Sequence, residues 1–120
     1  MFKECLGYCR DSKREWENIY SVEQQREAIE KYALENNLHI FEIFEDVNKY
    51  GKKFNREGLC GMLKYISLNP NVKCILVSDV SRLFIKFNSS WFTLKRFLEE
   101  HDIKLVSLVN VMNKYINTKK

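Results

Sequence analysis

No stretch of this sequence stays apolar for the length that a membrane-spanning helix requires, because charged residues interrupt every hydrophobic run. The opening residues, MFKECLGYCR, carry charge too early for a secretory signal, so the chain reads as intracellular, in the cytoplasm. There is no Cys-x-x-Cys pair among the four cysteines at 5, 9, 60 and 74, and His39 and His101 lie far from them in sequence, so no metal site is expected. Cys5 and Cys9 flank an apolar segment and read as free core thiols in a reducing compartment. No glycine-rich phosphate loop of the Walker type occurs, which argues against nucleoside triphosphate hydrolysis. Repeats, linkers and low-complexity tracts are also missing, so residues 1–120 are expected to form one domain around one core.

What is present describes a folded domain. Hydrophobic residues make up 45% of the chain and charged residues 30%, a balance that supports a core. The net charge of +4 is unevenly spread. Acids crowd the first third, including Glu15, Glu17, Glu23, Glu27, Glu30, Glu35, Glu42 and Glu45. Three later windows hold no acid at all: 47–56, 80–98 and 103–120. The second of these carries Arg82, Lys86, Lys95 and Arg96. This asymmetry suits a polyanionic partner on one side of the molecule, or simply a set of solvated loops and helix faces.

Segment types alternate along the chain. Leu6 to Cys9 reads as a short strand. Ser21 with Gln24 forms a capping-box pattern, followed by Val22, Ala28, Ile29, Tyr32 and Ala33 at helical spacing. The run NNLH ends that helix, since asparagine tolerates the left-handed conformation found at many C-termini. HIFEIFED is a second strand, and Leu59, Met62, Leu63 and Ile66 mark a second helix that Asn69-Pro70 stops. CILVSD is a third, fully buried strand. Ser89 or Ser90 can cap a third helix bearing Trp91, Phe92, Leu94, Phe97 and Leu98, before a fourth strand, KLVSLV. The order predicts an α/β fold, with a mostly parallel central sheet of about four strands covered by helices.

In such sheets ligands collect beyond the carboxyl ends of the strands. That rule selects Arg10, Asp11 and Ser12 after strand one, Asp46 and Arg56 after strand two, and Asp79, Ser81 and Arg82 after strand three. A hydroxyl, carboxylates and guanidiniums brought together suit phosphoryl transfer, because a guanidinium matches phosphate geometry and neutralises charge developing on it. Paired carboxylates can also hold magnesium, but the flanking arginines and lysines already supply positive charge. Plainer roles exist for each residue: Arg10 can pair with Asp11 or Asp46, Ser12 can serve a turn, and Asp46 and Asp79 can cap the helices that follow them.

Several stretches together resemble the signature of bacterial serine site-specific recombinases, the resolvase/invertase family. YCRDS at 8–12 is similar to the family's Tyr-x-Arg-x-Ser element, YSVEQQRE to Ser-Ile-Glu-x-Gln-Arg-Glu, FEDVNKYGKKFNREGL to the run from a strand-end Asp to Arg-Pro-Gly-Leu, and DVSRL to Asp-x-Asp-Arg-Leu. The match runs in order from about residue 5 to about 108. The wide spacing from Ser12 to Gln25 looks more like the large serine recombinases.

The resemblance implies a resolvase-like catalytic domain that cuts and rejoins double-stranded DNA through a 5′-phosphoserine, with no metal or other cofactor. Ser12 is the nucleophile, Arg10, Arg82 and Arg56 hold the phosphate, and Gln25 and Asp46 fall on family active-site positions. Lys52, Lys53 and Lys86 are assigned to DNA contact. Family members act as homodimers that pair into tetramers. The long helix that builds the dimer would begin where this chain ends, at Lys120, so a monomer or weak dimer without a DNA-reading domain is expected. Three departures stand out: Tyr50 replaces a serine, Ser81 an acid, and Ile85 a second arginine, with Lys86 one position later. They motivate the alternative of a non-catalytic recombinase-like module that associates with DNA or protein.

Overall fold

The computed structural model describes residues 3–11, 20–47, 56–83 and 89–116. The described elements run β1 (Lys3–Arg10), α1 (Val22–Glu35), β2 (Leu38–Asp46), α2 (Glu57–Leu68), β3 (Val72–Val77), a 3₁₀ turn (Val80–Arg82), α3 (Ser89–Glu100), β4 (Lys104–Ser107) and the short α4 (Met112–Tyr115). The four strands form one sheet in the order β2-β1-β3-β4, and every neighbouring pair is parallel. The expected α/β architecture is what the chain adopts. None of the described helices is long and apolar enough to cross a membrane.

Local chemistry explains the element boundaries. Ser21 accepts from the Gln24 backbone at 3.0 Å while the Gln24 side chain accepts from the Ser21 backbone at 3.0 Å, so the capping box at the start of α1 closes on both sides. Replacing Ser21 with alanine is expected to cost about 1 kcal/mol, read as a lower urea midpoint at unchanged slope. Asn37 has φ 56°, which turns the chain from α1 into β2. The third helix spans Ser89–Glu100, so both serines expected to cap it fall inside its first turn, and the position before it lies outside the described residues.

Helices cover both faces of the sheet. Cys5, Cys9, Cys74 and Leu76 meet Ala28, Ile29 and Ala33 of α1 and Met112 and Tyr115 of α4 on one face. Leu6, Tyr8, Ile75 and Val77 meet Met62 and Ile66 of α2 and Leu94 and Leu98 of α3 on the other. α4 is held to α1 by Glu35, which accepts from Lys114 Nζ at 2.9 Å and Tyr115 Oη at 3.0 Å.

Two features depart from the sequence expectation. Cys5, expected as a free core thiol, forms a disulfide with Cys74. They are register partners on adjacent strands with Cα atoms 4.7 Å apart, inside the range a disulfide can span. The expectation of a free core thiol does hold for Cys9, which is buried; Cys60 is also free, but exposed. Burial chiefly, with Glu45 nearby, pushes the Cys9 thiol up to about 12. A thiol-reactive dye without reductant is therefore expected to label Cys60 in the folded protein and Cys9 only after unfolding. Labelling of Cys9 at the rate of Cys60 would contradict this packing.

The second departure lies in β2. Its pairing with β1 steps from Cys5↔Ile40 to Leu6↔Glu42, so Phe41 is an extra, bulged residue. Phe41 and Phe44, three apart, would face opposite sides of a regular strand. The bulge lets both reach Tyr65 of α2, at ring-centroid distances of 5.9 and 6.2 Å.

Candidate active site

The C-terminal ends of β1, β2 and β3 lie side by side, so Arg10, Asp46 and the turn after Val77 share one edge of the sheet. Arg10 and Arg82 interlock there. Arg10 Nε donates to the Arg82 carbonyl at 2.9 Å and Nη2 to the Ser81 carbonyl at 2.7 Å, while Arg82 Nη1 donates back to the Arg10 carbonyl at 2.9 Å. Arg56 reaches the same place from the start of α2. Its Nη2 donates to the Tyr8 hydroxyl at 3.1 Å, the Arg82 carbonyl at 3.0 Å and the Leu83 carbonyl at 3.1 Å. Carbonyl oxygens carry no net charge, and here they orient all three guanidiniums at the sheet edge. Arg56 Nε is buried and has no partner among the described residues.

Asp46 shows how the arginines are positioned. Its Oδ1 accepts from the Gly58 backbone at 2.7 Å, and Oδ2 accepts from the Leu59 backbone at 2.9 Å and the Tyr8 hydroxyl at 2.6 Å. Arg56 occupies the N-cap position of α2 but makes no side-chain cap bond. Asp46 therefore caps α2 from the end of a neighbouring strand, which holds the residue just before the helix, Arg56, against the site. Gly58 permits this approach, because a Cβ there would run into the Glu45 carbonyl. Desolvation first, then the hydrogen bond to Asp46, pushes the Tyr8 phenol well above the usual tyrosine range, with Arg56 pulling the other way. The phenol stays protonated and donates to Asp46 while accepting from Arg56.

Gln25 is fully buried and grips the end of β1. Its Oε1 accepts from the Arg10 N–H at 3.2 Å, and its Nε2 donates to the carbonyls of Arg10 and Tyr20 at 3.1 Å each. Asp79 caps its own turn, accepting from the Ser81 backbone at 2.8 Å. Of the residues expected from sequence, Arg10, Gln25, Asp46, Arg56 and Arg82 are thus brought together. Ser12, Lys52, Lys53 and Lys86 lie outside the described residues, as do Tyr50 and Ile85. Tyr8 and Gly58 were not singled out as site residues. Both stood inside the motifs, yet their roles depend on contacts 38 and 12 residues away in sequence.

A family model for the resolvase N-terminal domain matches residues 5–120. The chain belongs to that family. Solved structures agree on the fold of this resolvase-type domain. The N-terminal catalytic domain of TP901-1 integrase superposes with a TM-score of 0.73 at 20% identity, over 90% of this chain and 78% of that one. A resolvase family site-specific recombinase from Streptococcus pneumoniae gives 0.73 at 24% identity, over 89% and 72%. The catalytic domain of ISC1926 TnpA, an IS607-like serine recombinase, gives 0.69 at 18% identity, over 88% and 70%. No curated protein matches the sequence. In the resolvase-type domain described here, the arginine cluster lies where the topology of a parallel sheet places ligands, beyond the carboxyl ends of its central strands.

Proposed function

We propose that this domain cleaves and rejoins double-stranded DNA through a 5′-phosphoserine formed on Ser12, with no metal cofactor. The observation that carries the reading is the meeting of Arg10, Arg56 and Arg82 at the edge where β1 ends, with Ser12 following Asp11 directly in the chain. In the reaction the Ser12 oxygen attacks phosphorus and loses its proton. The phosphorus bond to the 3′ oxygen breaks, and that oxygen leaves as a 3′-hydroxyl. Attack by a 3′-hydroxyl on the phosphoserine reverses these changes, so joining needs no external energy source.

The three guanidiniums bind the phosphate and stabilise the charge that grows on its oxygens in the transition state. Gln25 and Asp46 act as positioning residues, one for the Arg10 backbone and the other for Arg56. Lys52, Lys53 and Lys86 contact the DNA backbone. The protein works in the cytoplasm as a homodimer that pairs into a tetramer when its full assembly surface is present. Ile85, which stands where the family has a further arginine, leaves more of the transition-state charge to Arg10, Arg56 and Arg82.

The test is to incubate the protein with a labelled duplex carrying its site, denature it, and map any protein–DNA adduct by peptide mass. The expected result is an adduct on the peptide that contains Ser12, with a free 3′-hydroxyl on the released strand. An adduct elsewhere, or none on any duplex that the protein binds, removes the reading.

A further inference from the structure

β3 and β4 are parallel, so α3, which joins them, runs back against the strand direction. Its first residues therefore start at the edge that carries the arginine cluster. Leu94 and Leu98 pack inward, while Phe92, Lys95 and Arg96 are exposed, with Phe92 60% accessible. These three positions, spaced i, i+3 and i+4, form one outward stripe. No acid occurs from residue 80 to 98, and Glu99 and Glu100 appear only at the far end of the helix. The outward face of α3 thus carries its two cations at mid-helix, with the acids one turn further from the site. Among the described residues, Lys95 and Arg96 have no carboxylate partner.

On the opposite face of the sheet the described residues of α1 are richer in acids. On α1, Glu23, Glu30 and Glu35 are exposed. Among the described residues, the cations of α1 and α4 are paired, Arg26 with Glu45 at 2.8 Å, Lys31 with Glu27 at 2.9 Å and Lys114 with Glu35 at 2.9 Å. A polyanion lying across the active-site edge is repelled on the α1 side and attracted on the α3 side.

We infer that the duplex leaves the active-site edge over α3, where Lys95 and Arg96 contact phosphates and Phe92 lies against the sugar backbone. The inference rests on the DNA reading above and adds the direction from which DNA lies on the domain. The contacts recognise the backbone and so carry no sequence preference.

The experiment measures binding of the 120-residue chain to a generic duplex by fluorescence anisotropy across a salt series. The doubly substituted Lys95→Ala/Arg96→Ala protein is compared with Lys31→Ala/Lys114→Ala, which removes the same charge from the α1 and α4 side. Each phosphate contact contributes about 0.9 to the slope of log affinity against log salt, so the α3 variant is expected to have a slope shallower by about 1.8. The control is expected to keep the wild-type slope. Equal losses in both variants would mean that only net charge matters, and an unchanged slope in the α3 variant would mean that DNA lies elsewhere. Either result overturns the inference, as does a chain that binds no duplex at low salt. The adduct on Ser12 is read separately, so it can survive when the α3 surface fails.

Discussion

Replacing Arg82 with alanine is expected to slow DNA cleavage by about 10²–10³-fold, the usual loss when one transition-state donor is removed. Arg82 is the residue that most closely joins the site. Its Nη1 holds the Arg10 carbonyl, and its own carbonyl accepts from both Arg10 and Arg56. The carbonyl survives the substitution, so Arg10 and Arg56 keep that acceptor while the guanidinium is lost. The effect should therefore fall on the rate of adduct formation more than on DNA binding, because the charge it stabilises develops during reaction. Lysine at this position is not expected to restore the rate. An ammonium lacks the planar fork that can grip a backbone carbonyl and still present donors to a phosphate. Circular dichroism establishes that the variant is folded; a folded Arg82→Ala protein that cleaves at the wild-type rate would show that this guanidinium does not act on the phosphate.

Substitution of Asp46 by alanine carries the largest expected stability loss, about 2–4 kcal/mol. Two contributions add. The first turn of α2 loses its acceptor for the Gly58 and Leu59 backbone N–H groups, and the buried Tyr8 hydroxyl loses the oxygen to which it donates. Urea unfolding measures the loss, and asparagine should recover part of it, because its side-chain oxygen can still accept from the helix. Activity should fall further than stability alone explains, since Arg56 stands at the end of the loosened helix. A variant as stable as the wild type would mean that α2 is capped by something other than Asp46.

Much of this molecule was legible along the chain. Ser21 and Gln24 marked the start of α1, and Asn69-Pro70 the end of α2, because caps and breakers act over three or four residues and need no distant partner. The alternation of apolar runs with helical stripes implied parallel strands, and the strand-end rule then selected Arg10, Asp46 and Arg82 without any contact being known. The plainer reading of Asp46 and Asp79 as helix caps also holds in the structure, where both accept backbone N–H bonds. For Asp46 that capping is also what places Arg56 at the sheet edge.

The sequence by itself determined which groups could reach the edge of the sheet, since that follows from element order and local spacing. Only the tertiary structure decided their pairings. Cys5 meets Cys74 across 69 residues, Arg10 exchanges bonds with Arg82 across 72, and Phe41 turns toward Tyr65 because a bulge interrupts the period of β2. Such contacts depend on the register of neighbouring strands, and a shift of one residue would send every side chain of a strand to the other face. Register is set by packing of the whole sheet, and for that reason no local pattern in the sequence could disclose it.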